Sequence, residues 1–192
     1  MIMDKITFRK KCIERLKQRK KVHLYKHDKV VNQKLYHYIR QINAHSVMLY
    51  IPLKIEVNIN PLIIRLRKER KIVLVPFMEG ESFSLVKYRL PLKIKKFGVK
   101  EPNKSNQYKN KIDLAIVPII GTDVTLRRVG FGKGFYDRFF EKNHKNIKRI
   151  GFVSREYCRS SEIITDDWDV TGDFYLTPKQ RILYRKQGFK AP

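Results

Sequence analysis

The sequence predicts an α/β fold: a single layered αβα domain built around a largely parallel sheet. Three observations predict it. Short apolar runs suited to buried strands alternate with segments whose apolar residues recur at helical spacing. The run Ile112 to Ile120, "IDLAIVPII", is apolar almost throughout, as a strand covered on both faces must be. At 192 residues the chain suits one medium domain whose core needs no disulfide or metal. No repeat or composition break divides it, so the domain is expected to span residues 1–192, ending in a short basic tail.

The elements follow in order. Residues 4–21 carry Ile6, Ile13 and Leu16 among charges, and residues 26–43 place Val31, Leu35, Tyr38, Ile39 and Ile42 at helical spacing, so two helices open the fold. "SVMLYIP" from Ser46 reads as a buried strand, followed by a loop to Ile59. Asn60-Pro61 then reads as an N-cap with proline at the first helical position, and the helix runs to about Arg70. "KIVLVPF" from Lys71 is the next strand, and "SFSLVKYR" from Ser82 alternates like a half-exposed one. "PLKIKKFGVKEP" from Pro91 reads as a loop, and the polar stretch from Asn103 to Asn110 as a surface connection. After Ile112–Ile120 comes "LRRVGFGKGFYDRFF", Leu126 to Phe140, whose last part, "FYDRFF", begins a helix that runs on to Asn143. "IKRIGFVS" from Ile147 and "DFYLTP" from Asp173 supply two more strands, and the tail beyond Pro178 is weakly patterned.

Composition narrows the class. Hydrophobic residues make up 42% of the chain, yet no apolar run is long enough to span a bilayer. The N-terminus "MIMDKITFRKK" has no apolar stretch behind its basic residues, so a cytoplasmic location is expected. Cys12 and Cys158 are too few for a disulfide framework or zinc cluster and read as ordinary thiols in a reducing compartment. Lys and Arg number 43 against 18 Asp and Glu, a formal charge of +25. Such a field attracts any polyanion, nucleic acid or nucleotide alike, and a generally lysine-rich proteome would produce it too.

The stretch Leu126 to Phe140 carries the chemistry. Its three glycines allow positive φ and close backbone approach, and the helix that follows presents its N-terminal N–H groups. With Arg127, Arg128 and Lys133 added, the stretch reads as a phosphate cradle or, on its glycines alone, as a solvated basic turn. It is neither of the common types. Phe135 stands where GxGxxG needs its third glycine, and Gly134 follows Gly-Lys where a Walker motif needs Ser or Thr.

The full string "RRVGFGKGFYDRFF" resembles the signature of the 5-formyltetrahydrofolate cyclo-ligase family. Other landmarks of that family stand in the right order: Lys5 and Arg9 as its N-terminal K-x-x-x-R, "YIPLKIEVNINPLI" from Tyr50, "FGVKEP" from Phe97, and "DLAIVP" before the signature. The resemblance spans Lys5 to about Thr177. It implies a CoA transferase-like layered fold and an ATP-dependent, magnesium-assisted enzyme. The reaction implied converts 5-formyltetrahydrofolate to 5,10-methenyltetrahydrofolate, releasing ADP and phosphate. Residue by residue it implies ATP binding by Lys5, Arg9, Arg128, Gly130, Gly132, Lys133, Gly134, Phe135, Tyr136 and Asp137, with Lys133, Arg128 and Tyr136 in catalysis. Magnesium falls to Asp137 and Asp169, and the folate to Tyr50, Pro52, Glu56, Phe97 and Tyr136. Where the family carries a glutamine after the next strand, this chain has Tyr157 or Cys158.

The competing reading is a cyclo-ligase-like basic module that binds nucleic acid without catalysis. Asp137, an acid inside the basic loop, favours the enzyme, because a pure phosphate binder has no use for it. On the enzyme reading the protein acts as a monomer, takes ATP and 5-formyltetrahydrofolate as partners, engages no membrane, and binds nucleic acid only weakly.

Overall fold

The computed structural model describes residues 3–18, 21–95, 100–180 and 182–185. Two helices lead. Helix α1 (Lys5–Lys17) starts where the Asp4 carboxylate accepts the N–H groups of Ile6 and Thr7, at 2.8 and 2.9 Å. Its stripe Phe8, Cys12, Leu16 is buried, while Lys5 and Arg9 lie one turn apart on an adjoining face. Helix α2 (Lys21–Gln41) begins earlier than the periodicity alone suggests and buries Val31, Leu35, Tyr38 and Ile39. A fully buried leucine such as Leu35 contributes on the order of 2 kcal/mol by leaving water.

The main sheet has seven strands: β1 (Ser46–Met48), β2 (Ile72–Glu79), β3 (Ser82–Lys87), β6 (Leu114–Pro118), β9 (Ile150–Val153), β10 (Phe174–Leu176) and β11 (Leu183–Tyr184), in the order β11-β10-β9-β6-β1-β2-β3. Its five inner strands are parallel, and the edge strands β3 and β11 run antiparallel. Strand pleating explains the two cores. In β6, Leu114 and Ile116 face the layer of α2 and α3 (Asn60–Lys68), whereas Ala115 and Val117 face the layer of α4 (Phe135–Asn143). Phe174 and Tyr175 of β10 divide the same way. The predicted αβα layering is the observed one.

Several local expectations change. The segment read as a loop from Pro91 contains a two-stranded hairpin, β4 (Lys93–Ile94) with β5 (Lys100–Glu101). The weakly patterned tail supplies β11, which pairs with β10. Strand β1 is shorter than its apolar run, because the chain leaves the ladder at Leu49 to build a loop. The first turn of α3 has Ile59, not Asn60, at its cap, and the side chain of Asn58 instead accepts the Asn60 N–H at 3.2 Å. Leading into the signature, β7 (Gly121–Thr122) and β8 (Arg128–Val129) form a second small hairpin.

The cysteines are the largest correction. Cys12 of α1 and Cys158, in the loop after β9, are joined in a disulfide with Cα atoms 6.1 Å apart. Across 146 residues no sequence pattern reveals the pair; only the docking of α1 on that loop brings the thiols together. The cysteine count therefore carries no argument for a reducing compartment. Among the described residues, no helix is long and apolar enough to cross a membrane.

Candidate active site

From β1 the chain continues through α3 to β2 on one side, while β6 pairs with the other side of β1. A crevice opens where such connections diverge, beyond the carboxyl ends of the strands. Two loops fill it: residues 50–57 after β1, and the signature after β6.

The loop after β1 is held from within and from behind. The Tyr50 hydroxyl donates to the Val57 carbonyl at 2.9 Å, and the Leu53 N–H donates to Glu56 at 2.9 Å. Behind it, Arg155 donates two bonds to the Asp28 carboxylate, at 2.8 and 2.7 Å, and a third to the Lys54 carbonyl at 2.7 Å. Both partners are buried, so this paired arginine fixes the turn that presents Glu56. Desolvation raises the Glu56 carboxyl to about 7, against the lowering effect of the Leu53 N–H and the charges of Arg128 and Arg155. Burial likewise keeps the Tyr50 and Tyr136 hydroxyls protonated well above their usual range.

In the signature, Arg128 is 7% exposed and folds back over Gly130, where a Cβ would stand 2.2 Å from its Nη2. Only glycine permits that approach. Its Nη1 meets Asp137 at 3.2 Å, its guanidinium lies 4.9 Å from the centre of the Tyr136 ring, and its buried Nε has no hydrogen-bond partner. A desolvated donor without an acceptor is costly unless a ligand supplies one. Gly134 caps α4 at φ +67°, turning the chain so that the helix N-terminus faces the crevice. Arg9 of α1 donates to the Gly130 carbonyl at 2.7 Å, and Lys5 bridges Asp166, at 2.8 Å, and Asp169.

These groups surround two cavities with a shared wall. The first, about 580 Å³, is largely apolar; Phe77, Met78, Phe83, Phe131 and Phe135 line it together with Tyr50, Glu56, Lys133 and Tyr136. The second, about 800 Å³, is lined by Lys5, Arg9, Gly130, Gly132, Asp137 and Asp169 among others. Arg128 and Gly134 line both.

Most of the predicted site residues thus line one or other of these two cavities. Lys133 and Phe135 line the apolar cavity rather than the polar one. Pro52 is not among the lining residues, although its neighbours Ile51 and Leu53 are. Phe97 lies outside the described residues. Neither candidate for the family glutamine reaches a cavity: Cys158 is in the disulfide, and Tyr157 stacks on Tyr175 at 5.6 Å between ring centres. Asp137 and Asp169 share the second cavity's wall, each already paired with a cation, and among the described residues no three metal-ligating side chains converge.

Asp123 was missed. It is fully buried and accepts bonds from Thr125 and Thr165 side chains and from the N–H groups of Thr125, Ile164 and Thr165. Burial works against its ionised form, but the threonine donors outweigh that and hold the carboxyl below its usual value. The knot fixes the loop that carries Asp166 to Asp169. Its visible signal is the D-x-T of "GTDVT", which marks an Asx turn but says nothing of the distant partner. Asp28 and Arg155, 127 residues apart, give no signal at all.

A model of the 5-formyltetrahydrofolate cyclo-ligase family matches residues 2–178. The chain belongs to that family. A 5-formyltetrahydrofolate cyclo-ligase of Mycoplasma genitalium is 27% identical over 181 residues, covering 91% of this chain and 98% of its own. A probable 5-formyltetrahydrofolate cyclo-ligase of Schizosaccharomyces pombe is 30% identical over 156 residues, 71% of this chain and 76% of its own. The solved structure of a 5,10-methenyltetrahydrofolate synthetase from Aquifex aeolicus superposes with a TM-score of 0.80 at 26% identity, covering 99% of this chain and 97% of that one. The cyclo-ligase family is a family of enzymes, and the seven-stranded sheet described above is its fold.

Proposed function

We propose that this cyclo-ligase family member converts 5-formyltetrahydrofolate to 5,10-methenyltetrahydrofolate at the expense of ATP, releasing ADP and phosphate. The observation that carries the reading is the pair of unlike cavities meeting at Arg128 and Gly134. An apolar, aromatic-lined cavity suits a reduced pterin, and a polar one that sets Lys5, Arg9 and Arg128 beside a helix N-terminus suits a triphosphate with its metal ion. A phosphoryl group passing between their occupants would cross the wall they share.

The chemistry requires that passage. A formamide is a poor electrophile, so N10 cannot close the ring until the formyl oxygen becomes a leaving group. In the first step the formyl oxygen attacks the γ-phosphorus, the bond to the bridging oxygen breaks, and ADP leaves. Arg128 at the junction, with Lys133, stabilises charge on the transferring group, as positioned cations do in phosphoryl transfer. In the second step N10 attacks the activated carbon, its proton passes to the Glu56 carboxylate, and phosphate departs. A carboxyl poised near 7 is suited to accept a proton at neutral pH. Tyr136, held against Arg128, borders the apolar cavity where the pterin lies.

Magnesium fits the donor set: the carboxylates of Asp137 and Asp169 are hard oxygen ligands, and this ion needs only one or two beside phosphate oxygens. Bound there, it would neutralise triphosphate charge. The same reading makes the protein a cytoplasmic monomer for which nucleic acid is at most a weak, nonspecific ligand.

The test is direct. Purified protein incubated with 5-formyltetrahydrofolate, ATP and magnesium should form the methenyl chromophore, with ADP and phosphate released in equal amount. Absence of chromophore with ATP untouched would overturn the reading.

A further inference from the structure

The polar cavity is larger than a chain of phosphates requires. It extends from the glycine loop at the start of α4 to His144, just beyond that helix. A nine-residue helix is about 13 Å long, so the cavity has room for phosphates joined to a sugar and a base. Its cations gather around the glycine loop: Arg9 is bonded to the Gly130 carbonyl, and Arg128 folds over Gly130.

Trp168 lines the same cavity and is 75% exposed, whereas Phe140, also on its wall, is 3% exposed and packed in the core. An indole is normally buried at least in part, and here its loop is not loose. Thr165 is tied to Asp123, Asp166 and Asp169 to Lys5, and Asp167 to Arg127 at 2.6 Å. Past the indole, Val170 accepts the Arg128 N–H at 2.8 Å and donates to Asp137 at 3.4 Å. The fold therefore holds a flat apolar ring in solvent on a fixed support, beside the residues that would bind a triphosphate.

We propose that Trp168 is the stacking platform for the nucleobase of the ATP bound in this cavity. The proposal rests on the ATP-dependent reading above. A base laid on the indole removes two apolar faces from water, and the geometry is sequence-tolerant because it engages the ring face rather than its edge. The residue positions the nucleotide and takes no part in bond making, so its loss acts on nucleotide affinity and leaves folate binding alone.

Trp168 is the chain's single tryptophan, so intrinsic fluorescence reports on this ring without labelling. ATP and ADP, added with magnesium and no folate, should quench or shift the emission, and inorganic tripolyphosphate, which has no base, should not. Trp168→Ala should raise the Michaelis constant for ATP roughly tenfold, with kcat, the constant for 5-formyltetrahydrofolate and the melting temperature little changed. Trp168→Phe should recover most of that loss. Calorimetric ATP binding that leaves the emission unmoved, with unchanged ATP kinetics in Trp168→Ala, would overturn the platform and leave ATP dependence standing. Failure of the wild type to bind or consume ATP would overturn both.

Discussion

Glu56 shows how one side chain ties stability to chemistry. Its ordinary pKa is 4.5, and burial raises it to about 7 in the folded protein. A carboxyl raised on folding stabilises the fold while protonated, fully so below 4.5, and that contribution is lost as pH climbs through 7. Glu56→Gln, which can still accept the Leu53 N–H, should therefore match the wild type in stability near pH 4.5. It should exceed it by on the order of 3 kcal/mol at pH 8, measured by denaturant unfolding. Activity should move the other way. If the ionised carboxylate takes the N10 proton, kcat/KM of the wild type rises with pH through about 7. The charges facing Glu56 are Arg128 from β8 and Arg155 beyond β9, and the neighbouring hydroxyls of Tyr50 and Tyr136 stay neutral, so the limb belongs to this carboxyl. Glu56→Gln should lose most activity and that limb; a variant with an unchanged profile would remove Glu56 from the proton transfer.

At the scale of elements, α1 is the part whose attachment matters most for the site. It carries Lys5 and Arg9 to the polar cavity, where they are bonded to Asp166, Asp169 and Gly130, yet its apolar contact with the rest of the fold is a small cluster built on Phe8, Cys12 and Leu16 against Ile120, Val129 and Cys158. The Cys12–Cys158 bond reinforces that cluster and closes a long loop of chain. Such cross-links typically contribute about 2–4 kcal/mol. Cys12→Ser with Cys158→Ser should melt lower than the oxidised wild type, and a thiol reductant should lower the wild type toward the variant while leaving the variant unmoved. Because the released helix positions Lys5 and Arg9, the Michaelis constant for ATP should rise in the variant more than that for the folate. Equal melting of wild type and variant under oxidising conditions would show that the apolar cluster and the Lys5 and Arg9 bonds hold α1 without the disulfide.

For the whole molecule, the formal charge of +25 poses the question of what it attracts. Nonspecific nucleic-acid binding rests on counterion release and weakens steeply as salt is added. Nucleotide and folate contacts are few, local and partly desolvated, and screening over about 8 Å at physiological ionic strength reduces them only modestly. Turnover of ATP and 5-formyltetrahydrofolate should persist at physiological salt while RNA and DNA binding fades from detection. Tight, sequence-selective RNA binding under those conditions without ATP consumption would favour the nucleic-acid module instead.

What the sequence by itself determined was local. Helical spacing in α2, the doubly covered run of β6 and the glycines and basic residues of the signature are each written within a few residues, because periodicity and backbone freedom are properties of neighbours. The layered αβα class followed from their alternation. Tertiary structure alone decided the rest. It paired Cys12 with Cys158, Arg155 with Asp28 and Asp123 with Thr165, and it placed Lys133 on the apolar cavity and Trp168 on the polar one. Those partners lie between 42 and 146 residues apart. No residue carries in its own identity the position of another so far along the chain; the packing of helices on the sheet supplies it.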